Sequence, residues 1–445
     1  VEWLGEVPEH WEVGSLRRLI KSVGNGTTAD QVDEAEDTVA VSRIETISAG
    51  LINFEKVGHV GPQDVARRFL LNAGDILFSH INSLSMVGNV AIYSGGRPLL
   101  HGMNLLRIQP LPSISSEWLL YWLKSKNVRQ EVESRAKPAI NQASISTDSV
   151  RALPALIPPS FEQIQIARFL DHETARIDAL IEEQQRLIEL LKEKRQAVIS
   201  HAVTKGLDHT VPMKDSGVEW LGEVPAHWRA VRLRHCLVDA LAYGANEPSD
   251  EANLEHPRYI RITDLNDDGT LSAETYKSLP PDKAEPYMLE QGDVLFARSG
   301  ATVGKSFLYS REYGPACYAG YLIRARVNKR ALIPMYLWMC TQSRQYEQFI
   351  GESNIQATIQ NVSAEKYGNM WIALLEIEEQ EKILAELETQ LSQFESLVET
   401  SVGALVLLQE RRSALISAAV TGKIDVRGWQ PPVSAPTPEL AQEAV

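Results

Sequence analysis

The chain has 445 residues, room for two or three domains, with 44% hydrophobic residues and a net charge of −14. That balance argues against a chain that holds nucleic acid by charge alone, because such binding relies on phosphate neutralisation. No run of 18 apolar residues suggests a membrane span. Cys236, Cys317 and Cys340 lack Cys-x-x-Cys spacing, which fits a reduced cytoplasm and speaks against disulfides or a structural zinc site.

The acid is spread along the chain. Residues 1–160 carry net −2, 161–217 −2, 218–376 −4 and 377–427 −4. DNA binding by this chain alone is therefore expected to be weak, with a basic partner supplying the missing positive charge.

The chain opens on Val1-Glu-Trp-Leu-Gly-Glu-Val-Pro-Glu-His-Trp11. This start is neither basic nor a long apolar run, so it does not read as a signal peptide. It begins abruptly, and the natural start with its Met is expected to lie upstream. Gly74-Asp-Ile-Leu-Phe-Ser79 and Gly88-Asn-Val-Ala-Ile-Tyr93 read as a strand pair around a polar loop. Leu105-Leu-Arg-Ile-Gln-Pro110 reads as a strand ended by proline. Glu117-Trp-Leu-Leu-Tyr-Trp-Leu-Lys124 is apolar nearly all round, hence a short buried helix. Pro154, Pro158 and Pro159 close this first domain, 1–160, and launch a helix.

Residues 161–205 contain no glycine and no proline. Leu170, Ile177, Ile181, Ile188, Leu191 and Val198 step by three and four, with Thr174, Gln184 and Arg195 as polar steps. At ~1.5 Å per residue the stretch makes a rod of roughly 66 Å. So narrow an apolar seam needs a partner helix. One stands 217 residues on, with Leu387, Leu391, Phe394, Val398, Leu405, Leu408 and Leu415 in matching phase. Ser401 and Arg412 match Gln184 and Arg195. Between the helices, 206–217 reads as a polar linker and 218–376 as a second domain. The second helix is expected over 377–425, and the proline-rich 426–445 as a disordered tail.

The second domain repeats the first. Val218-Glu-Trp-Leu-Gly-Glu-Val-Pro-Ala-His-Trp228 matches the opening at ten of eleven positions. Gly292-Asp-Val-Leu-Phe296 answers Gly74–Phe78, and Gln356-Ala-Thr-Ile359 answers Gln142-Ala-Ser-Ile145. Glu379-Gln380 answers Glu162-Gln163, and Arg412–Thr421 answers Arg195–Thr204. Between these anchors, at 24–60 and 240–285, the copies hardly agree. The expected fold class is α+β: two similar globular domains joined by two long antiparallel helices in an intramolecular coiled coil, duplicated about a pseudo-two-fold axis.

Catalytic motifs are weak. Ser299-Gly-Ala-Thr-Val-Gly304-Lys305-Ser306 resembles a P-loop but has three residues between its glycines, not four, and the first copy has no lysine. A hairpin loop with glycine at positive φ, or a polar loop touching DNA, explains it better. Pro158-Pro159-Ser160-Phe161 lacks the Asn or Asp that opens an amino-methyltransferase motif and reads as a helix start. The ten histidines show no ligand spacing, and His10 and His227 are expected to pack or cap. No nucleophile–base pair emerges, so the chain is expected to bind and position, with no catalytic, metal or cofactor site of its own.

Polar and basic residues gather in the variable stretches. The first copy offers Thr27, Thr28, Ser42, Arg43, Arg67, Arg68, His80, Asn82 and Ser83. The second offers Tyr243, Asn246, Arg258, Arg261, Thr263, Asp264, Arg298, Ser299, Thr302 and Lys305. Arg, Asn, Ser and Thr suit base edges, while Lys and paired Arg suit phosphates. A fixed, duplicated frame carrying different loops suits a two-headed reader of two short sequences.

The doubled layout, the Gly-Asp-Ile/Val-Leu-Phe strands, the Gln-Ala-Ser/Thr-Ile elements and both helices resemble the specificity subunit of type I restriction-modification systems. The resemblance runs from Val1 to about Gly428. It implies two target recognition domains, each reading half of a bipartite site in double-stranded DNA, with the helices setting the gap. It also implies docking of two methyltransferase subunits, which hold S-adenosylmethionine and methylate adenine, and of a restriction (nuclease-translocase) subunit. The adenine would have to be flipped into the partner's pocket. The competing expectation is a two-headed protein scaffold without DNA specificity.

Overall fold

The structure is a computed structural model that describes residues 6–140, 142–248, 252–266, 268–354 and 361–432. The opening Val1–Gly5, the Gln356–Ile359 element and the tail from 433 lie outside the described residues. The chain divides into two compact units: Val1–Gln185 with Gly403–Val445, and Arg186–Val402.

The first unit is built on a four-stranded antiparallel sheet in the order Ile20–Asn25, Leu106–Pro110, Ile76–Phe78, Val90–Ile92. Its central strand is buried on both faces, so it reads as an unbroken apolar run. Ile76 and Phe78 face the core under the helix Ser116–Lys124, while Leu77 packs with Ala40, Ile47, Leu71 and Leu99. The Gly-Asp before this strand has two uses. Gly74 turns with φ 90°, and Asp75 accepts from the Asn72 amide at 2.6 Å while pairing with Arg107 inside the sheet.

The second unit repeats the sheet in the order Ala242–Tyr243, Leu322–Ala325, Val294–Ala297, Ser306–Leu308. Gly292 turns with φ 93°, and Asp293 accepts from the Glu290 amide at 2.8 Å. The carboxylate's cation here is Arg326, at 2.8 Å, two residues beyond the sheet partner that corresponds to Arg107.

Both long helices are present, as Ser160–Lys205 and Ile377–Val420. In the first unit Leu170 shares a core with Ile416, Ala419 and Val420, and Arg412 donates to Asp178 at 2.7 Å. In the second unit Ile199, Ala202 and Val203 share a core with Ile383, Leu387 and Leu391. Within each unit, therefore, the start of one helix runs antiparallel to the end of the other. Leu170, Ile177, Leu387 and Leu391 are buried. Ile181, Ile188, Leu191, Val198, Phe394, Val398, Leu405, Leu408 and Leu415 are half-buried, and the residues after Val198 and Leu415, Ile199 and Ile416, are the buried ones there.

Three boundaries differ from the sequence reading. The second helix stops at Val420 because Gly422 takes φ 77°, as Gly206 takes φ 76° after the first helix. The stretch read as a linker contains Met213–Asp215, which pairs with Glu223–Pro225. The start of the expected disordered tail is packed: Val426 is buried, and the Trp429 ring meets Phe169 edge-on at 5.4 Å. Among the described residues one helix, Ile377–Val420, is long and apolar enough to cross a membrane by length and composition. Its hydropathy is raised in part by Leu397, Val402, Val406 and Leu407, all exposed.

Candidate nucleic-acid interface

Each head is moored to its own long helix. His10 Nε2 lies 2.6 Å from Glu162 Oε1, and Trp11 Nε1 donates to Glu162 Oε2 at 2.9 Å. In the second copy Trp228 Nε1 donates to Glu379 Oε1 at 3.0 Å, and His227 Nε2 is 3.0 Å from Oε2. The adjoining glutamines tie a second segment: Gln163 Oε1 accepts from the Ser115 amide at 3.0 Å, and Gln380 Oε1 from the Ile333 amide at 2.8 Å. A carboxylate in the first turn of a helix is also favoured by the helix dipole.

From that base the sheets carry polar side chains to one set of strand ends. In the first unit Asn25 ends its strand, and its Nδ2 donates to the Met103 carbonyl at 2.9 Å and lies 3.1 Å from His80 Nε2. Asn82 follows on a short strand held by Ala143, and the Ile145 amide donates to the His80 carbonyl at 2.9 Å. The Gln142–Ser144 element thus props the loop that carries His80 and Asn82. Gly26 is needed beside Asn25, since a Cβ there would collide with the His101 carbonyl. Thr27, Thr28, Ser42, Arg43, Met103 and Asn104 line a polar cleft of about 240 Å³ next to this cluster. Met103 stands 48% exposed.

The second unit puts different chemistry in the same place. Tyr243 ends its strand and precedes Gly244, whose Cβ would collide with the Tyr318 carbonyl. The Arg298 guanidinium lies 4.9 Å from the Tyr243 ring centroid, and its Nε donates to Asn361 Oδ1 at 3.3 Å. The Val362 amide donates to the Arg298 carbonyl at 2.8 Å, as Ile145 does to His80. Tyr321, 60% exposed, takes its carbonyl to the Arg298 amide at 3.0 Å. Asn25 with His80 and Tyr243 with Arg298 are therefore equivalent pairs.

A family model described as the type I restriction modification DNA specificity domain matches residues 8–191. The putative type I restriction enzyme MjaX specificity subunit of Methanocaldococcus jannaschii is 38% identical over 261 residues, 57% of this chain. That alignment spans little more than half of the relative, 58% of its length. The EcoKI specificity subunit of Escherichia coli K12 is 24% identical over 448 residues, covering 96% of this chain and 91% of the relative. Residues 8–191 carry the type I restriction modification DNA specificity domain. Two solved structures share the fold at 17% identity, each over 94% of this chain. One is a chain from work on complex assembly and conformational transition of the type I R-M system, with a TM-score of 0.72 and all of that chain covered. The other is the HsdS subunit of Thermoanaerobacter tengcongensis, with a TM-score of 0.51 and 98% covered.

In this specificity-subunit fold several polar residues singled out in the sequence are spent on internal structure. Arg258 is buried, its NH2 donating to the Ser272 carbonyl at 2.7 Å. Asp264 is fully buried, where it accepts from Arg261 NH2 at 2.9 Å and closes the turn Ile262–Asp264. Arg261 also donates to the Thr275 carbonyl at 2.7 Å. Ser42 Oγ accepts from the Gly102 amide at 3.0 Å. Burial lowers the His80 pKa, and the neighbouring His101 is pushed down to about 4 by the same cause. Both rings are therefore neutral near pH 7.

Other candidates remain at the surface. Thr28, Arg43, Arg67, Arg68, Ser83, Asn246 and Thr263 are exposed, although Arg67 and Arg68 do not line the 240 Å³ cleft. Ser299 pairs with Asn361, and Thr302 Oγ1 donates to the Ser299 carbonyl at 3.4 Å. The P-loop-like segment is a hairpin loop, with Gly300 at φ 73° and Gly304 at φ 86°, and Lys305 Nζ donates to the Leu265 carbonyl at 3.3 Å. Asn25, Met103, Tyr321 and Asn361 were not legible as site residues. The one usable signal was a glycine after both Asn25 and Tyr243, 218 positions apart.

Proposed function

We propose that this chain reads a bipartite site in double-stranded DNA, one half per head. The boundaries are 1–160 and 218–376 for target recognition domains, and 161–205 and 377–420 for the spacer helices. One observation carries the reading. A duplicated frame presents, at the same strand ends, Asn25–His80–Met103 in one head and Tyr243–Arg298–Tyr321 in the other. Asparagine matches the adenine edge and arginine the guanine edge, so equivalent positions would read different bases. Stacking on Tyr243 holds the Arg298 guanidinium in one plane, which suits bidentate recognition.

Recognition is this chain's part, and the chemistry belongs to its partners. Two methyltransferase subunits, holding S-adenosylmethionine, dock on the helices, and a restriction (nuclease-translocase) subunit joins them in the cytoplasm. The adjacent Val406 and Leu407, 50% and 66% exposed on the second helix, support such docking. The chain's −14 charge also fits DNA being clamped by the assembly rather than by this subunit.

The test exchanges residues 1–150 for the equivalent domain of another specificity subunit. The expected result is a new first half-site with the second half and the gap unchanged. An unaltered site overturns the reading and leaves a protein scaffold. Adding about four residues, one helical turn, near Gln184 should lengthen the gap alone.

A further inference from the structure

The first unit holds a second polar cleft, of about 520 Å³, against the end of the second long helix. Three cations line it. Lys124 is half-buried and donates from Nζ to the Gly50 carbonyl at 3.1 Å. Arg129 donates to Asn89 Oδ1 at 2.9 Å and to the Ser85 carbonyl at 2.7 Å. Arg412 reaches in from the long helix, gripped by Asp178 at 2.7 and 3.1 Å. The carboxylates facing these groups are Asp178 and Glu133, the latter 3.8 Å from Arg129. Positive charge is in excess. Burial holds the Lys124 ammonium below its usual range, and the adjacent Arg412 adds to this while Asp178 opposes it. Like charges brought together in a partly desolvated recess are relieved by an anion between them.

The second unit has a cleft of about 290 Å³ at the corresponding helix junction, with different charge and without a lining residue from a long helix. The helix junctions beside the two clefts superpose in their bonding. Ser125 Oγ donates to the Trp122 carbonyl at 2.7 Å, as Ser343 Oγ donates to the Cys340 carbonyl at 2.6 Å. The Lys126 amide donates to Ser417 Oγ, and the Arg344 amide to Ser200 Oγ. Counting from these junctions, Gln342 stands where Lys124 does and Glu347 where Arg129 does. Two cations are replaced, and Lys305 at the place of Asn89 returns one. The frame accepts either set, so packing does not demand the cations of the first unit.

We infer that the cleft of Lys124, Arg129 and Arg412 seats a backbone phosphate of DNA beside the half-site read by the first head. The inference rests on the DNA-reading function proposed above. The cleft flanks the reading cluster by two routes. Ser48 and Gly50 end the turn that begins at Arg43, and Asn89 closes the loop that opens at Asn82. Contacts to phosphate position a protein whose base contacts lie alongside. A partner's carboxylate would satisfy the same charge, but the place of the cleft beside the reading loops favours DNA.

The test uses the full chain assembled with its methyltransferase subunits, as wild type, Lys124→Gln and Lys124→Arg. Gln is the residue the other copy already carries at this place. Each assembly is titrated with duplex containing the mapped site, from roughly 50 to 200 mM salt. Removing one phosphate contact should flatten the slope of log affinity against log salt by about 0.9, so the Lys124→Gln deficit shrinks roughly three- to fourfold over that range. The recognised motif should not change, Lys124→Arg should track wild type, and thermal melting of both variants should match it. An unchanged slope in Lys124→Gln, or equal damage in Lys124→Arg, overturns the phosphate site while leaving the reading function intact. Weakened subunit assembly with an unchanged slope overturns it in favour of a partner carboxylate. A wild-type assembly without sequence-dependent binding overturns the reading function itself, and this site with it.

Discussion

Glu162 accepts the indole N–H of Trp11 at 2.9 Å, across 151 positions of sequence. Glu379 and Trp228 repeat the bond at the same separation. The far end of the other long helix meets the same tryptophan in each unit: Gly422 lies against Trp11, and Gly206 against Trp228. Each head is thus fixed at the start of one helix and the end of the other.

Glu162→Ala leaves a buried indole N–H without its acceptor and should cost about 1–3 kcal/mol. Glu379 is the more exposed carboxylate, 32% against 6%, so Glu379→Ala should cost less. Denaturant unfolding of both variants checks the order. Equal or reversed losses would show that the two clasps do not act through burial.

Leu170 is fully buried between the helices, whereas Leu407 is 66% exposed on the second helix. Leu170→Ala should destabilise by about 2–5 kcal/mol. Leu407→Ala should stay within about 0.5 kcal/mol of wild type in the isolated chain and instead weaken partner capture. Melting curves and a pull-down with the methyltransferase subunits separate the two effects.

His101 supplies a pH dependence. Burial holds its pKa at about 4, against about 6.5 in an unfolded chain. Between those values the unfolded state binds the extra proton, so stability is intact above about pH 6.5 and falls as the pH drops towards 4. The loss should reach roughly 3 kcal/mol. His101→Gln should flatten the acid limb of a stability–pH curve, and an unchanged limb would remove His101 as its cause.

Asn25→Ala and Arg298→Ala should each relax discrimination in one half-site by about 1–3 kcal/mol and leave the other half as it was. Methylation motifs recovered from cells carrying each variant give the answer. A change in both halves from one variant would contradict the division of labour between heads.

The frame was legible because it depends on period and repetition. Ile177 and Leu391 announce the helix seam by their three-and-four spacing, and the matching Gly-Asp pairs announce both sheets. Spacing could not say which polar residues stay free. Arg258 and Asp264 looked like base readers, yet they satisfy a carbonyl and a turn inside the second head. Asn25 and Tyr321 looked ordinary, and only strand pairing brings them beside His80 and Arg298. The helix ends depended on Gly206 and Gly422 reaching positive φ, which a heptad count does not register.

The most direct test maps adenine methylation genome-wide by long-read sequencing, with this gene intact and deleted and the methyltransferase subunits present. A two-part motif that vanishes on deletion is the predicted result, and it would give both half-sites and the gap together. An unchanged methylation pattern, with the partner subunits demonstrably expressed, would contradict the assignment of sequence reading to this chain.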